Sequence, residues 1–309
     1  MSVSVVGHSN PDTDSVAAAI SFANYLKATG TDAVACMQIE ADKLNPESTT
    51  VLKKFGLAAP QTLMDAAGKK VALVDFSDIG QAPANIKDAE VVAIVDHHKI
   101  GDITTNNPIL FNAQPVGCTC TVLFEMYKNN KVALPKEIAS VMLCAILSDT
   151  VNFKSPTCTE ADKKAVAELK TVAGVADTDA LFMEMLKAKS SIDGVPMKDL
   201  VFRDYKDFDM NGKKVGIGQL ELATVEQVAG IRTDLVKALE DLKKDGRHSV
   251  LFMLTDVVKE GTDLIVVSDE PALIETAFGA KIDGGSMWVN GMMSRKKQTV
   301  PPLQKAFGC

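Results

Sequence analysis

Short apolar segments punctuate the first hundred residues: "SVSVV" (2–6) and "DAVAC" (32–36), which read as strands, and "VALVD" (71–75) and "VVAIVD" (91–96). The last two are continuous apolar runs ending in aspartate, the habit of parallel strands buried on both faces. Between and after these segments the spacing turns helical. One helix is expected from Ser15 to about Ala28, stopped by Gly30, and another is opened by Pro46 and closed by Gly56. Further helical patterns cover 119–129, 135–148, 159–173 and 178–187. The alternation predicts an α/β fold, with a mainly parallel sheet flanked by helices on both faces.

The texture changes at "AKSSIDGV" (188–195), where small and turn-forming residues suggest a hinge linker. Beyond it, Asn211-Gly212 between two apolar stretches predicts a hairpin with a type I′ turn. A charged helix is expected at about 224–244, strands at "SVLFMLTDV" (249–257) and "DLIVVS" (263–268), a helix near 270–278 and a strand at "MWVN" (287–290). The expected organisation is thus an N-terminal domain of 1–187, a linker of 188–195 and a smaller C-terminal α/β domain of 196–309 with a mixed sheet.

Composition narrows the function classes. The chain has 309 residues, 46% hydrophobic and 24% charged, with a net charge of −7. That balance fits a globular protein and argues against nucleic acid or an anionic membrane as partner. No apolar run approaches the roughly 18 residues of a membrane span, and Val3–Val6 ends too soon for a signal peptide. The six cysteines, at 36, 118, 120, 144, 158 and 309, contain no CxxC pair. They read as small residues of a reducing cytosol, so a cytoplasmic location is expected.

Candidate chemistry gathers at the predicted strand ends. Histidine occurs only at 8, 97, 98 and 248, and the first three stand at or just beyond the C-terminal ends of apolar runs. Asp12 and Asp14 follow the first run, Asp75 and Asp96 close two others, and Asp149 ends an apolar helix. Open α/β sheets bind ligands at those ends. Taken singly, Asp12 or Asp14 reads as a helix N-cap and each histidine as a hydrogen-bonded structural group. Taken together, so many carboxylates would repel one another unless cations relieved them. Mixed imidazole and carboxylate donors suit Mn²⁺, Fe²⁺, Co²⁺ or Zn²⁺, and their number suits two ions about 3.5–4 Å apart sharing one carboxylate. Neighbours on an extended strand point to opposite sides, so His97 and His98 are expected to face different directions, one a metal and the other a substrate oxygen. Arg295, Lys296 and Lys297 stand in a row within an acidic chain and read as a solvated run or, beside such a centre, as a phosphate clamp.

"GHSNPDTDS", "LVD" at 73–75, "DHHK" at 96–99, "PVGCT" at 115–119, "SDT" at 148–150 and "SRKKQ" at 294–298 resemble, in order and spacing, the family II (manganese-dependent) inorganic pyrophosphatases of the DHH phosphoesterase superfamily. The resemblance covers essentially the whole chain. It implies an N-terminal DHH metal-binding catalytic domain, a C-terminal DHHA2-like substrate-binding domain and an active site in the cleft between them. It further implies that His8, Asp12 and Asp75 hold one Mn²⁺, and that Asp14, Asp75, His97 and Asp149 hold a second, with Asp75 bridging. His98, Lys206, Arg295 and Lys296 are implied as catalytic, substrate-binding residues. Co²⁺ is an expected substitute, Mg²⁺ is expected with the substrate, and a homodimer through the N-terminal domain is implied. The implied reaction is hydrolysis of pyrophosphate to two orthophosphates, by a metal-bridged hydroxide attacking phosphorus in line. The rival substrates are polyphosphate, as for a DHH-type exopolyphosphatase, and short RNA, as for an oligoribonuclease. A metal or phosphate sensor without turnover is a further alternative. In one place the chain departs from the family: where the family often reads Asp-His-Asn-Glu, residues 75–78 read "DFSD".

Overall fold

The computed structural model describes residues 2–155 and 157–309. The chain divides into two compact units, 1–189 and 190–309.

In the first unit the order is β1 (Val3–Val6), α1 (Thr13–Ala28), β2 (Ala33–Met37), α2 (Pro46–Lys54), β3 (Gln61–Thr62), β4 (Lys70–Val74), β5 (Glu90–Asp96) and β6 (Leu110–Ala113). Four helices follow: α3 (Thr119–Asn129), α4 (Lys136–Asp149), α5 (Glu160–Ala173) and α6 (Thr178–Lys189). The strands form one parallel sheet in the order β3-β2-β1-β4-β5-β6. Strand alternation sorts the apolar residues cleanly. Val5, Ala72, Val74, Ala93 and Val95 pack with the buried residues of all six α-helices. Val6, Leu73 and Ile94 face the other way, into a smaller cluster with Phe76 and Ile86. That second face is covered by loops and short 3₁₀ turns at Ile79–Gln81 and Ile86–Asp88, where the sequence suggests α-helices on both faces. Gly80 and Pro83 in the connection from β4 to β5, and Gly101 and Pro108 in that from β5 to β6, disfavour continuous helices there.

The strand order matters for function. The order in which strands are added reverses between β1 and β4, and ligand crevices form beyond the C-terminal ends of strands at such a switch point. His8 follows β1 and Asp75 follows β4, one on each side of it.

The second unit contains α7 (Met197–Phe202), β7 (Tyr205–Met210), β8 (Lys213–Leu222), α8 (Arg232–Lys244), β9 (Ser249–Asp256), β10 (Gly261–Ser268), α9 (Pro271–Phe278), β11 (Ser286–Asn290) and α10 (Val300–Phe307). Its sheet runs β11-β10-β9-β8-β7, mixed because only β8 and β9 are parallel. Asn211 and Gly212 have φ of 55° and 73°, as a type I′ hairpin requires. The single charged helix expected at 224–244 is two pieces, a 3₁₀ segment Val225–Ile231 and then α8. Helices α7 and α8 cover one face of this sheet, and α9 and α10 the other.

Candidate metal centre

At the switch point of the first unit the side chains of five elements converge. Asp12 is the N-cap of α1: its Oδ1 accepts from the Ser15 N–H at 2.9 Å. Its Oδ2 lies 3.8 Å from His8 Nε2. The oxygen that caps the helix and the one that faces His8 are therefore different oxygens of one carboxylate. Asp75 leaves β4 in the left-handed region, with φ of 67°, a conformation that aspartate tolerates better than most residues. Its Oδ2 is 3.3 Å from His8 Nε2 and its Oδ1 is 3.3 Å from His97 Nε2. One carboxylate thus faces two imidazoles with different oxygens.

Among the described residues four groups of donor atoms each lie within 4.8 Å of one another: His8 with Asp12 and Asp75, Asp14 with His97 and Asp149, Asp75 with His97 and His98, and Asp14 with Cys118 and Cys120. A cavity of about 240 Å³ opens above them, lined by His8, Asp12, Asp75, His97, His98 and Asp149 among others. Asp14 lies fully buried at the N-terminus of α3, where the Thr119 and Cys120 N–H groups donate to its two oxygens at 2.7 and 3.1 Å. Helix N-termini favour anions for this reason.

His97 and His98 depart from strand geometry. The Asp96 Oδ1 accepts from both the His97 and His98 backbone N–H groups, at 2.8 and 3.1 Å, and curls the chain out of β5. The two rings therefore stand edge to face, 4.1 Å apart, and both line the cavity, instead of pointing to opposite sides as alternation suggests. His97 Nδ1 lies 3.1 Å from the Val116 carbonyl, which aims Nε2 at Asp75. His98 Nδ1 lies 2.9 Å from Asp96 Oδ1.

The electrostatics of this cluster match a cation site. Burial opposes charge on His8 and His97, but the carboxylates beside them prevail. Asp12 and Asp75 raise His8 to about 10, and chiefly Asp75 and Asp14 raise His97 to about 9. Burial, with Asp75 and Asp12 nearby, lifts Asp14 to about 6. Burial, then the repulsion of Asp14, Asp12 and Asp75, pushes Asp149 well above the carboxylate range. Asp75 is buried too, yet hydrogen bonds to His8 and His97 hold it below that range. Protons thus supply the positive charge that this donor set demands. Divalent ions with a taste for mixed nitrogen and oxygen ligands fit the same place.

Phe76, where the family often has histidine, is buried with Val6, Leu73, Ile86 and Ile94 behind the sheet and does not line the cavity. Ser77 instead ties the 99–101 segment, accepting from the Gly101 N–H at 2.9 Å.

In the second unit, Gln219 Nε2 donates to the Met293 carbonyl at 3.0 Å, and Gln298 Oε1 accepts from the Met293 and Ser294 N–H groups, both at 2.9 Å. Residues Arg295–Thr299 form a π-helical turn. The Arg295 guanidinium donates to Asp204 Oδ1, the Asp204 carbonyl and the Ile217 carbonyl. Ile217 is the register partner of Lys206, so Arg295 binds the backbone across the ladder from Lys206, near one end of the β7–β8 pair. Lys296 and Lys206 are exposed. Sequence patterns alone did not single out Asp204, Gln219 or the Thr119 hydroxyl, which donates to Asp75 Oδ1 at 3.0 Å. "PVGCT" was the one available signal for Thr119.

A parallel sheet with a histidine and carboxylate cluster at its switch point, followed by a mixed-sheet unit, defines the architecture of the DHH phosphoesterases. The DHH family N-terminal domain model matches residues 2–146, and the DHHA2 domain model matches 183–306. The chain is 49% identical to an Archaeoglobus fulgidus protein named "Probable manganese-dependent inorganic pyrophosphatase", over 99% of this chain and 98% of that one. It is 46% identical to the manganese-dependent inorganic pyrophosphatase of Methanothrix thermoacetophila, over 98% and 97% of the two chains. A solved Methanococcus jannaschii structure assigned to the family II inorganic pyrophosphatases superposes with a TM-score of 0.62 at 41% identity, covering 99% of each chain. The chain belongs to the family II, manganese-dependent inorganic pyrophosphatases.

Proposed function

We propose that this protein hydrolyses inorganic pyrophosphate to two orthophosphates at a two-ion centre in the first unit. The observation that carries the proposal is Asp75, whose two oxygens face His8 on one side and His97 on the other. His8, Asp12 and Asp75 would hold one Mn²⁺, and Asp14, Asp75, His97 and Asp149 the second, with Co²⁺ as a substitute and Mg²⁺ arriving with the substrate. When bound, the ions supply Lewis acidity, acidifying water and offsetting phosphate charge.

The chain's own groups do the rest. The left-handed backbone at Asp75 and the α3 N–H groups on Asp14 fix the carboxylates before substrate arrives. The hydrogen bond to Asp96 raises the His98 pKa and so favours the protonated ring, which would donate to a phosphate oxygen. Arg295, Lys296 and Lys206 would bind the phosphates and stabilise negative charge as the bridging bond breaks, with Arg295 exchanging Asp204 for substrate. The 188–195 segment would serve as a hinge for the unit that carries Lys206, Arg295 and Lys296.

The same proposal includes a cytoplasmic homodimer. Its support is six unpaired cysteines and the edge strand β6, which exposes Leu110 and Phe111. Phosphate release from pyrophosphate, tripolyphosphate and short RNA, measured after chelation with Mn²⁺, Co²⁺, Zn²⁺ or Mg²⁺ restored singly, tests the function. Turnover confined to the longer substrates would refute it, and Mn²⁺ binding with no turnover at all would leave only a sensor.

A further inference from the structure

We propose that Asp162, in the first turn of α5, is a positioning residue for the metal centre, acting through the segment 116–121. The inference rests on the ligand assignment above.

Asp162 is completely buried, and its two oxygens accept four hydrogen bonds. Two come from Thr159, through its N–H and hydroxyl, both at 2.7 Å, and the N–H bond is one half of a capping box at the start of α5. The other two serve no purpose for α5. The Gly117 N–H donates to Oδ2 at 2.9 Å and the Thr121 hydroxyl donates to Oδ1 at 2.6 Å. Asp162 thereby anchors the start of α3 to the start of α5.

The anchored segment touches three of the six expected metal ligands. The Val116 carbonyl orients His97, the Thr119 and Cys120 N–H groups hold Asp14, and the Thr119 hydroxyl holds Asp75. Gly117 is glycine for a local reason. A Cβ there would sit 2.9 Å from Asp162 Oδ2 and 2.8 Å from Thr150 Cγ2, closer than packed atoms tolerate. Thr150 follows Asp149, so the contact point also abuts the fourth ligand of this side. A capping box needs neither a fully buried carboxylate nor partners more than forty residues away. Outer contacts that orient metal ligands typically govern affinity by about 10–100-fold.

Asp162→Ala removes the anchor, and Gly117→Ala pushes the segment off it while leaving the Thr159 cap and Asp162 in place, so a folding failure of the first variant leaves the second to decide. Each is titrated with Mn²⁺, following the free-ion electron paramagnetic resonance signal, and melted with and without Mn²⁺. A positioning role predicts at least about tenfold weaker Mn²⁺ binding and a smaller Mn²⁺-induced rise in melting temperature. Asp162→Asn, which keeps one accepting oxygen, should recover most of the affinity. Wild-type Mn²⁺ affinity, with equal losses in melting temperature with and without metal, would mark a purely structural role and overturn the proposal. Asp75→Asn is titrated alongside. If it too binds Mn²⁺ like wild type, the ligand assignment itself fails and the inference falls with it.

Discussion

Removing metal should make the stability of the first unit fall as pH rises from 7 to 9. The His8 and His97 side chains are 14% and 13% exposed, so solvent screens their ion pairs little. Their folded pKa values, about 10 and about 9, lie above the ordinary 6.5. The stabilisation from these protons is therefore complete below pH 6.5 and is lost as pH climbs through about 9 and 10. Asp14, raised to about 6, acts with the same sign in the acid range. Both imidazoliums lean on the single Asp75 carboxylate, so we count one extra proton held by the folded state. One proton is about 1.4 kcal/mol per pH unit, or roughly 3 kcal/mol from pH 7 to 9. For a unit of this size that is a drop of about 6–12 °C in melting temperature. Ligation requires neutral imidazoles, so Mn²⁺ binding must expel the protons and its affinity must rise with pH. Scanning calorimetry of the chelated and Mn²⁺-loaded protein, following the transition that Mn²⁺ shifts, reads the first effect. Titration calorimetry in buffers of different ionisation enthalpy reads the proton release. A chelated melting temperature that is flat or rising between pH 7 and 9, or Mn²⁺ binding at pH 7 with no proton release, would refute the reasoning.

Asp75→Asn keeps a residue that accepts the left-handed backbone but removes the shared charge. The fold should survive by circular dichroism, while Mn²⁺ affinity falls at least about tenfold and most turnover is lost. Arg295→Ala should lower kcat/KM for pyrophosphate about 10–100-fold, the cost of charge-assisted hydrogen bonds, while Mn²⁺ titrations stay at wild-type values. Asp204→Asn frees the guanidinium from a competing carboxylate, so KM for pyrophosphate should fall a few-fold in steady-state kinetics; a higher KM would show that Asp204 orients Arg295 instead of competing for it. Gly101→Ala places a Cβ 2.1 Å from the Ser77 carbonyl and should lower the urea midpoint, with a loss of about 1–3 kcal/mol.

Much of the fold was legible because burial on both faces leaves unbroken apolar runs, and β1, β2, β4 and β5 coincide with them. Helix α10 was not legible, since Pro301 and Pro302 resemble a loop in sequence yet sit in the first turn, where a missing N–H costs nothing. The edge strand β6 was likewise hidden, being four residues long with an apolar run of only Ile109–Phe111 leading into it. Phe76 was ambiguous as a departure from a familiar pattern, and its burial behind the sheet was decided by the turn of the chain at Asp75.

By itself the sequence determined the chemistry and the scaffold. Donor residues placed at the ends of buried strands must emerge at one edge of a parallel sheet, because side-chain period and strand direction leave no other place for them. Tertiary structure alone decided how those donors are held. Which oxygen of Asp12 caps a helix, which oxygen of Asp75 meets which imidazole, and why both histidines of "DHH" share a cavity depend on hydrogen bonds between distant segments. The Asp162 to Gly117 contact spans 45 residues, and no local propensity encodes it. Such contacts form only when strands and helices dock, since a buried carboxylate is stable only where donors from several elements reach it together.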